Sequence, residues 1–505
     1  VNVPESTADP AGDLDTGYDE GEGRRLSFAL VWSFVQGIGG QLLTVVVTFL
    51  LARELGPGLF GLAALAIVYV LFVDMLMRQG LSAALIQRPN ITPRELSTAF
   101  WLLLVASVLI VLATIGLAGA WASLNNEPDL RKLTIVLSVI VPLRAMSVVP
   151  DSLLRRELDF KTLALRAMAA SVVGAAVALV LAATGAGVWA LIWQQIAMVA
   201  TELVLVWAAT SWRPRMVFSR SAARELLAYA LPSSAATMGV FVSERSDTVV
   251  TSIYFGPVAV GLHRFSVRFT DVLVGMFSGP FLQVSLPELA RQQHDRSALS
   301  ARIVDLMHVS ALLAFPVFAG LAAAAEEFVG LAGDEWSAAA RPLQLLCLTG
   351  ALKSLSFYNA PVLQALGRTR LLATTEWGQA VFKTATVVAV AYSLRNDDIA
   401  DQVVGITVAM AAVEAVFLFG IAVPMLRRTA GVRPGAVVKN LFVPAIGGFV
   451  GVGLVSWLRS LDLFDPMPGI IALGVTGGIG TTTALLAELV FDKRLVSEIR
   501  SRLGR

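Results

Sequence analysis

The chain is poor in the residues that carry most covalent and metal chemistry. Its 505 residues include a single cysteine, Cys347, set in an apolar run, which excludes a disulfide framework and a cysteine metal site. Three histidines, His263, His294 and His308, are too scattered to suggest a metal site. The sequence offers no Gly-rich loop to cradle a phosphate, no nucleophile elbow and no metal-ligand spacing. The expectation is therefore a protein that is not an enzyme and needs no cofactor or metal. Charge is scarce as well, at 15% of residues. With a mean hydropathy of +0.73, a soluble fold would expose large apolar patches, whereas a multi-pass membrane protein commonly has this composition. The net charge of +2 gives no reason to expect a nucleic-acid partner.

What the chain does have is apolar runs of spanning length. About fourteen helices are predicted, over residues 27–52, 59–86, 97–121, 131–150, 163–184, 187–210, 225–253, 258–284, 302–325, 337–362, 370–394, 402–426, 437–459 and 468–491. The second, seventh and eighth carry charges, which weakens their hydropathy signal. Alternate connections are basic, for example Arg155/Arg156/Lys161, Arg213/Arg215/Arg220/Arg224 and Arg427/Arg428/Arg433/Lys439. The intervening ones are neutral or acidic, for example Glu326/Glu327/Asp334/Glu335 and Asp397/Asp398/Asp401, with Arg131/Lys132 the main exception. The positive-inside rule then puts both termini in the cytoplasm of a cell whose plasma membrane holds the chain. Residues 1–23 are polar and acidic, unlike a signal peptide, and read as a disordered cytoplasmic tail.

Two stretches repeat one another. Gly56-Pro57 is followed by Gly61-Leu62, and Gly256-Pro257 by Gly261-Leu262. Arg156 and Arg368 both precede a fifth helix, Glu202 and Glu414 both lie late in a sixth, and each pair is 212 residues apart. This is the pattern of a transporter built from two like-oriented halves with its substrate site between them. The expected architecture is all-α and integral to the membrane. An N-terminal six-helix lobe spans 24–220, and a C-terminal six-helix lobe in pseudo-twofold relation to it spans 221–430. Two further helices and a basic cytoplasmic tail occupy 431–505. In those last helices Gly447/Gly451 and Gly474/Gly478 have a four-residue spacing that permits close packing. The Gly-Pro pairs read as helix breaks at the outer surface.

The run Leu51-Ala52-Arg53-Glu54-Leu55-Gly56-Pro57, with Phe60-Gly61, Ala84-Leu85-Ile86-Gln87-Arg88 and Leu96-Ser97-Thr98-Ala99-Phe100-Trp101, resembles the opening of Wzx-type polysaccharide flippases. Arg156-Glu157-Leu158-Asp159-Phe160-Lys161, Gly187-Val188-Trp189-Ala190-Leu191 with Gln194-Gln195, Leu226-Leu227 with Leu231-Pro232, and Ala365-Leu366-Gly367-Arg368 extend the resemblance over roughly 25–430. These flippases belong to the multidrug/oligosaccharidyl-lipid/polysaccharide exporter superfamily. The resemblance implies a central cavity lined mainly by helices one, two, seven and eight. It also implies movement of a polyprenyl-diphosphate oligosaccharide from the inner to the outer leaflet for cell-envelope polysaccharide biosynthesis. Expected partners are that lipid-linked oligosaccharide, membrane lipids, and a polysaccharide polymerase and glycosyltransferases.

Charged groups in hydrocarbon usually face a cavity or a partner, and here they gather where the resemblance puts the cavity. Asp74 and Arg78 lie in the second helix, Glu244, Arg245 and Asp247 in the seventh, and His263, Arg264, Arg268 and Asp271 in the eighth. Guanidinium groups pair bidentately with phosphate oxygens. Arg78, Arg245, Arg264 and Arg268 are the candidates for the diphosphate and nearby sugars, with Asp74, Asp247 and Asp271 beside them. Gln36 and Gln41 of the first helix are candidates for sugar hydroxyls. The competing reading pairs Asp74 with Arg78, and Arg245 with Glu244 or Asp247, as salt bridges between helices, and gives the glutamines to neighbouring helices. Three other functions stay open: a lipid II flippase, a multidrug or cation antiporter, and a membrane polymerase or glycosyltransferase.

Overall fold

The computed structural model describes residues 45–69, 71–72, 75, 81–82, 85–86, 91–157, 159–292, 294–356, 358–464 and 467–491. Asp74, Arg78, Gln36, Gln41, the acidic tail and the basic C-terminal stretch lie outside them. The elements are helices: α1 (Val45–Tyr69), α2 (Pro93–Leu124), α3 (Pro128–Leu137), α4 (Ile140–Arg156), α5 (Phe160–Ala183), α6 (Trp189–Ala209), α7 (Arg220–Arg291), α8 (Arg296–Ala323), α9 (Ala325–Gly330), α10 (Ala340–Ser356), α11 (Asn359–Ala365), α12 (Thr369–Ser393), α13 (Ile399–Val416), α14 (Val423–Ala430), α15 (Pro434–Arg459) and α16 (Gly469–Phe491). A π-helical stretch, Phe417–Ala422, joins α13 to α14. Among the described residues nine helical segments are long and apolar enough to cross a membrane. Exposed large apolar side chains such as Leu109, Leu117, Val180, Val204, Phe449 and Phe491 lie along these segments, as lipid contact requires. The chain is an all-helical, multi-pass membrane protein.

Local sequence sets the helix ends. Thr92 and Glu95 form a capping box at the start of α2, with Pro93 as its first residue. Asp159 caps α5 through the Thr162 amide, and Asp295 caps α8 through two amides. The predicted span 131–150 lies within one helical segment, Pro128–Arg156, long and apolar enough to cross a membrane; α3 and α4 join in it at Ser138–Val139, where the backbone stays in the right-handed helical region. The predicted spans 225–253 and 258–284 are two arms of α7, meeting at Gly256 with φ 78° and ψ −176°. Gly56 has φ 69° at the matching point of α1. Side chains rarely adopt such a backbone, and glycine does so without a Cβ clash.

Apolar packing divides between the two halves of the chain. Leu51, Leu65, Leu130, Leu137 and Ile192 share one core in the first half, and Phe265, Phe318, Leu343, Val403 and Leu426 share another in the second. The halves touch at the Gly-Pro motifs. Trp336, fully buried, donates its indole N–H to the Ala52 carbonyl at 3.1 Å and stacks on Phe60 and Phe265. The last two helices pack on α8 through small residues. A Cβ on Gly320 would fall 2.0 Å from Thr481 Oγ1, and one on Gly451 would fall 2.5 Å from the Gly480 carbonyl. Gly447 meets Ala484 in the same way, but Gly474 and Gly478 face open space. In α16 the packing glycines are therefore Gly477, one position before Gly478, and Gly480, two positions after it. Arg459 pins the end of α15 to α9 through Glu326 at 3.1 Å and Glu327 at 2.6 Å.

Candidate functional site

The break at Gly256 folds α7 back on itself, so that its two charged arms lie side by side. On the second arm Arg264, Arg268 and Asp271 follow at four- and three-residue steps, which sets them on one face. Arg245 reaches the same region from the first arm.

Arg245, Arg264 and Arg268 line a hollow of about 1220 Å³ whose other wall comes from the first half of the chain: Thr48, Phe60 and Ala64 of α1, Ser171 and Gly174 of α5, and Gln194, Gln195 and Met198 of α6. Among the described residues no carboxylate lines this hollow. Among the described residues none of the three guanidinium groups makes an ion pair, and Arg264 Nη1 is buried with no hydrogen-bond partner. Arg268 is exposed and Arg245 and Arg264 are half-buried, all toward this space.

A second hollow, of about 1730 Å³, lies within the second half. Its charged lining is mixed: Glu244, Asp247, Asp271, Glu376 and Glu414 against Arg245, Lys353 and Lys383. Arg245 lines both spaces. Asp247 forms a brace at this wall. Buried almost completely, it meets His263 Nε2 at 2.7 Å and Lys383 Nζ at 3.3 Å, and the same Nζ donates to the Ser243 carbonyl at 2.5 Å. The brace ties the two arms of α7 across the Gly256 break and joins both to α12. Other charges pair within the first half, between helices and along α4. Arg144 bonds Glu202, and Asp151 bonds both Arg155, at 2.8 Å, and Arg166.

The model of one family, described as polysaccharide biosynthesis protein, matches residues 50–341. The chain belongs to this family. Among curated proteins this family member is similar to the succinoglycan biosynthesis transport protein ExoT of Rhizobium meliloti, at 27% identity over 94% of this chain and 95% of that one. It is also similar to the lipopolysaccharide biosynthesis protein WzxC of Escherichia coli, at 25% identity over 67% and 69%, and to the teichuronic acid biosynthesis protein TuaB of Bacillus subtilis, at 22% over 59% and 63%. Its fold matches the lipid II flippase MurJ in an inward closed conformation with a TM-score of 0.73, over 92% of this chain and 100% of that one at 13% identity. An inward-facing multidrug resistance transporter of the MATE family matches with a TM-score of 0.53 at 20% identity, over 80% and 99%.

Of the site residues expected for this polysaccharide-family protein, Arg245, Arg264 and Arg268 come together on the first hollow, while Asp247 and Asp271 face the second. Asp74, Arg78, Gln36 and Gln41 fall outside the described residues. Sequence reasoning passed over Gln194, Gln195 and Ser171 as lining groups, although two consecutive amides in an apolar helix are a visible oddity. It also passed over Asn359, for which the apolar surroundings gave no signal.

Proposed function

We propose that this chain flips polyprenyl-diphosphate-linked oligosaccharide units from the inner to the outer leaflet of the bacterial plasma membrane by alternating access, serving export of a surface polysaccharide. The observation that carries this reading is the hollow lined by Arg245, Arg264 and Arg268, with no carboxylate among its described lining residues. An arginine at the centre of a membrane helix costs about 2.5–3.5 kcal/mol on insertion scales. Packing alone gives no reason to hold three of them, none in a direct ion pair among the described residues, between two halves of a transporter. An anionic head group removes that cost, and guanidinium forks match a diphosphate bidentately. The glutamines on the opposite wall offer donors and acceptors to the adjoining sugars. Similarity along nearly the whole chain to a protein named for succinoglycan transport supports a saccharide cargo.

In this reading fourteen helices cross the membrane, with both termini cytoplasmic. Lobes of six helices occupy 24–220 and 221–430, and the last two helices attach to the second lobe. The lobes rock about the region between them, exposing the head group first inward and then outward, while the polyprenyl tail stays in lipid. The protein replaces the hydration of the polar head and performs no covalent step. Polymerase and glycosyltransferase partners act before and after it.

Leaflet-resolved labelling of lipid-linked sugars in cells with and without the chain tests the reading. Accumulation on the inner leaflet, reversed by the wild-type chain and not by Arg264→Ala, is expected. Equal distribution with and without the chain would refute it.

A further inference from the structure

The repeat pairs one residue of each half with a glutamate 58 positions later. In the first half the pair is Arg144 with Glu202; in the second it is Ser356 with Glu414, at 2.7 Å. The second pair lies 212 residues after the first, the same offset that relates Glu202 to Glu414 and Arg156 to Arg368. The position occupied by a buried guanidinium in the first half therefore holds a hydroxymethyl group in the second, and there the second hollow opens. Glu414, also buried, accepts from the Ser356 hydroxyl and has a 3.4 Å contact from the Gln379 amide, with the Lys353 ammonium lining the same hollow.

Asn359 is an independent mark of a missing ligand. It is 5% exposed, it lines the same hollow, and neither its amide nitrogen nor its amide oxygen has a hydrogen-bond partner. Buried amides are rarely left with both ends unmade.

From this juxtaposition we infer that the second hollow is a saccharide subsite, in which Asn359, Gln379, Ser356, Glu376 and Glu414 hold uncharged sugar rings of the cargo. This rests on the flippase reading and assigns the sugar end of the substrate to the second half of the chain. The ligand class follows from the wall. Sugar hydroxyls donate and accept, so they satisfy a carboxylate and both ends of a primary amide together. A bare cation would pair with the carboxylates and amide oxygens but leave the Asn359 N–H groups without an acceptor and most of about 1730 Å³ to water. A diphosphate would face five carboxylates against three cations. Arg245, which lines both hollows, stands where the diphosphate gives way to the first sugar.

The repeat supplies the test. Ser356→Arg rebuilds on Glu414 the pair that Arg144 makes with Glu202, and fills the subsite. Two probes are titrated into the detergent-purified full chain: undecaprenyl diphosphate, and the sugar-bearing polyprenyl diphosphates extracted from source cells deleted for this chain. The wild type is expected to bind the sugar-bearing lipid about tenfold more tightly or better, as sites built around hydroxyl groups do. In Ser356→Arg that preference is expected to vanish while the bare diphosphate lipid still binds; Arg264→Ala should lose both. Asn359→Leu repeats the measurement with a smaller change, should Ser356→Arg lower the melting temperature. A preference retained in both second-hollow variants, or a wild type that does not distinguish the probes, overturns the subsite and leaves the flippase reading standing. A wild type that binds neither probe overturns both.

Discussion

Gly61 lies directly against the backbone carbonyl of Pro257: a Cβ on Gly61 would fall 1.8 Å from that oxygen. The relationship is reciprocal, since a Cβ on Gly261 would fall 1.9 Å from the carbonyl of Pro57. The sequence repeat thus packs against its own copy, and the contact it forms is one of the places where the two halves meet. The glycines at 61 and 261 set the approach of the two backbones, while those at 56 and 256 supply the left-handed turn.

Gly61→Ala and Gly261→Ala should each wedge this contact open. Overpacking of this kind costs about 1–3 kcal/mol. Spin labels placed on either side of the contact should report a longer distance, and export should fall although the protein reaches the membrane. Unchanged distances and export would show that the halves do not need this contact.

Arg264→Ala and Arg268→Ala should abolish export without lowering the melting temperature, because neither arginine gives up an ion pair among the described residues. A function lost together with stability would instead mark them as braces. Inner-leaflet accumulation of lipid-linked sugar and thermal unfolding of the purified variants separate the two outcomes.

Arg144→Ala should do the opposite. It removes the guanidinium that Glu202 bonds between α4 and α6, and removing one partner of a buried pair costs roughly 3–5 kcal/mol. The measurement is the melting temperature in detergent, with Arg264→Ala as the reference. Glu202→Gln in the Arg144→Ala background should recover part of the loss.

Asp247→Asn should weaken the junction of α7 with α12, since it removes the charge that holds His263 and Lys383. The double variant Asp247→Asn/Lys383→Met should be more stable than the sum of its single changes, with a coupling of about 0.5–3 kcal/mol. Strict additivity in thermal or denaturant unfolding would mean that the brace carries no energy.

Gly320→Val should loosen α16 from α8, and Gly451→Val should part α15 from α16, because each new side chain meets Thr481 or the Gly480 backbone at less than contact distance. Gly474→Val and Gly478→Val meet nothing and should leave the unfolding free energy within about 0.5 kcal/mol of the wild type. Protease protection of the last two helices reads the same distinction.

Much of the fold was legible in the sequence because lipid imposes its own length on apolar runs. The predicted spans 370–394, 437–459 and 468–491 fall within a few residues of Thr369–Ser393, Pro434–Arg459 and Gly469–Phe491. The gathering of Arg245, Arg264 and Arg268 was legible too, because charge in an apolar helix is conspicuous and the break at Gly256-Pro257 folds the arms together. The local tightening of the helix at Ser138–Val139 was hidden, since hydropathy runs through it unchanged. So was the partnership of Asp247, which lies nearest in sequence to Glu244 and Arg245 yet bonds His263 and Lys383.

The sequence by itself determined that the chain lives in a membrane, that it is helical, and that it repeats, because hydropathy, length and spacing are properties of the chain read along one line. The tertiary structure decided which charges neutralise one another and which face empty space. Arg144 and Arg264 are alike in sequence, each an arginine in an apolar helix. One meets a glutamate on a neighbouring helix and the other opens onto a hollow, and only the packing of helices distant in sequence makes that difference.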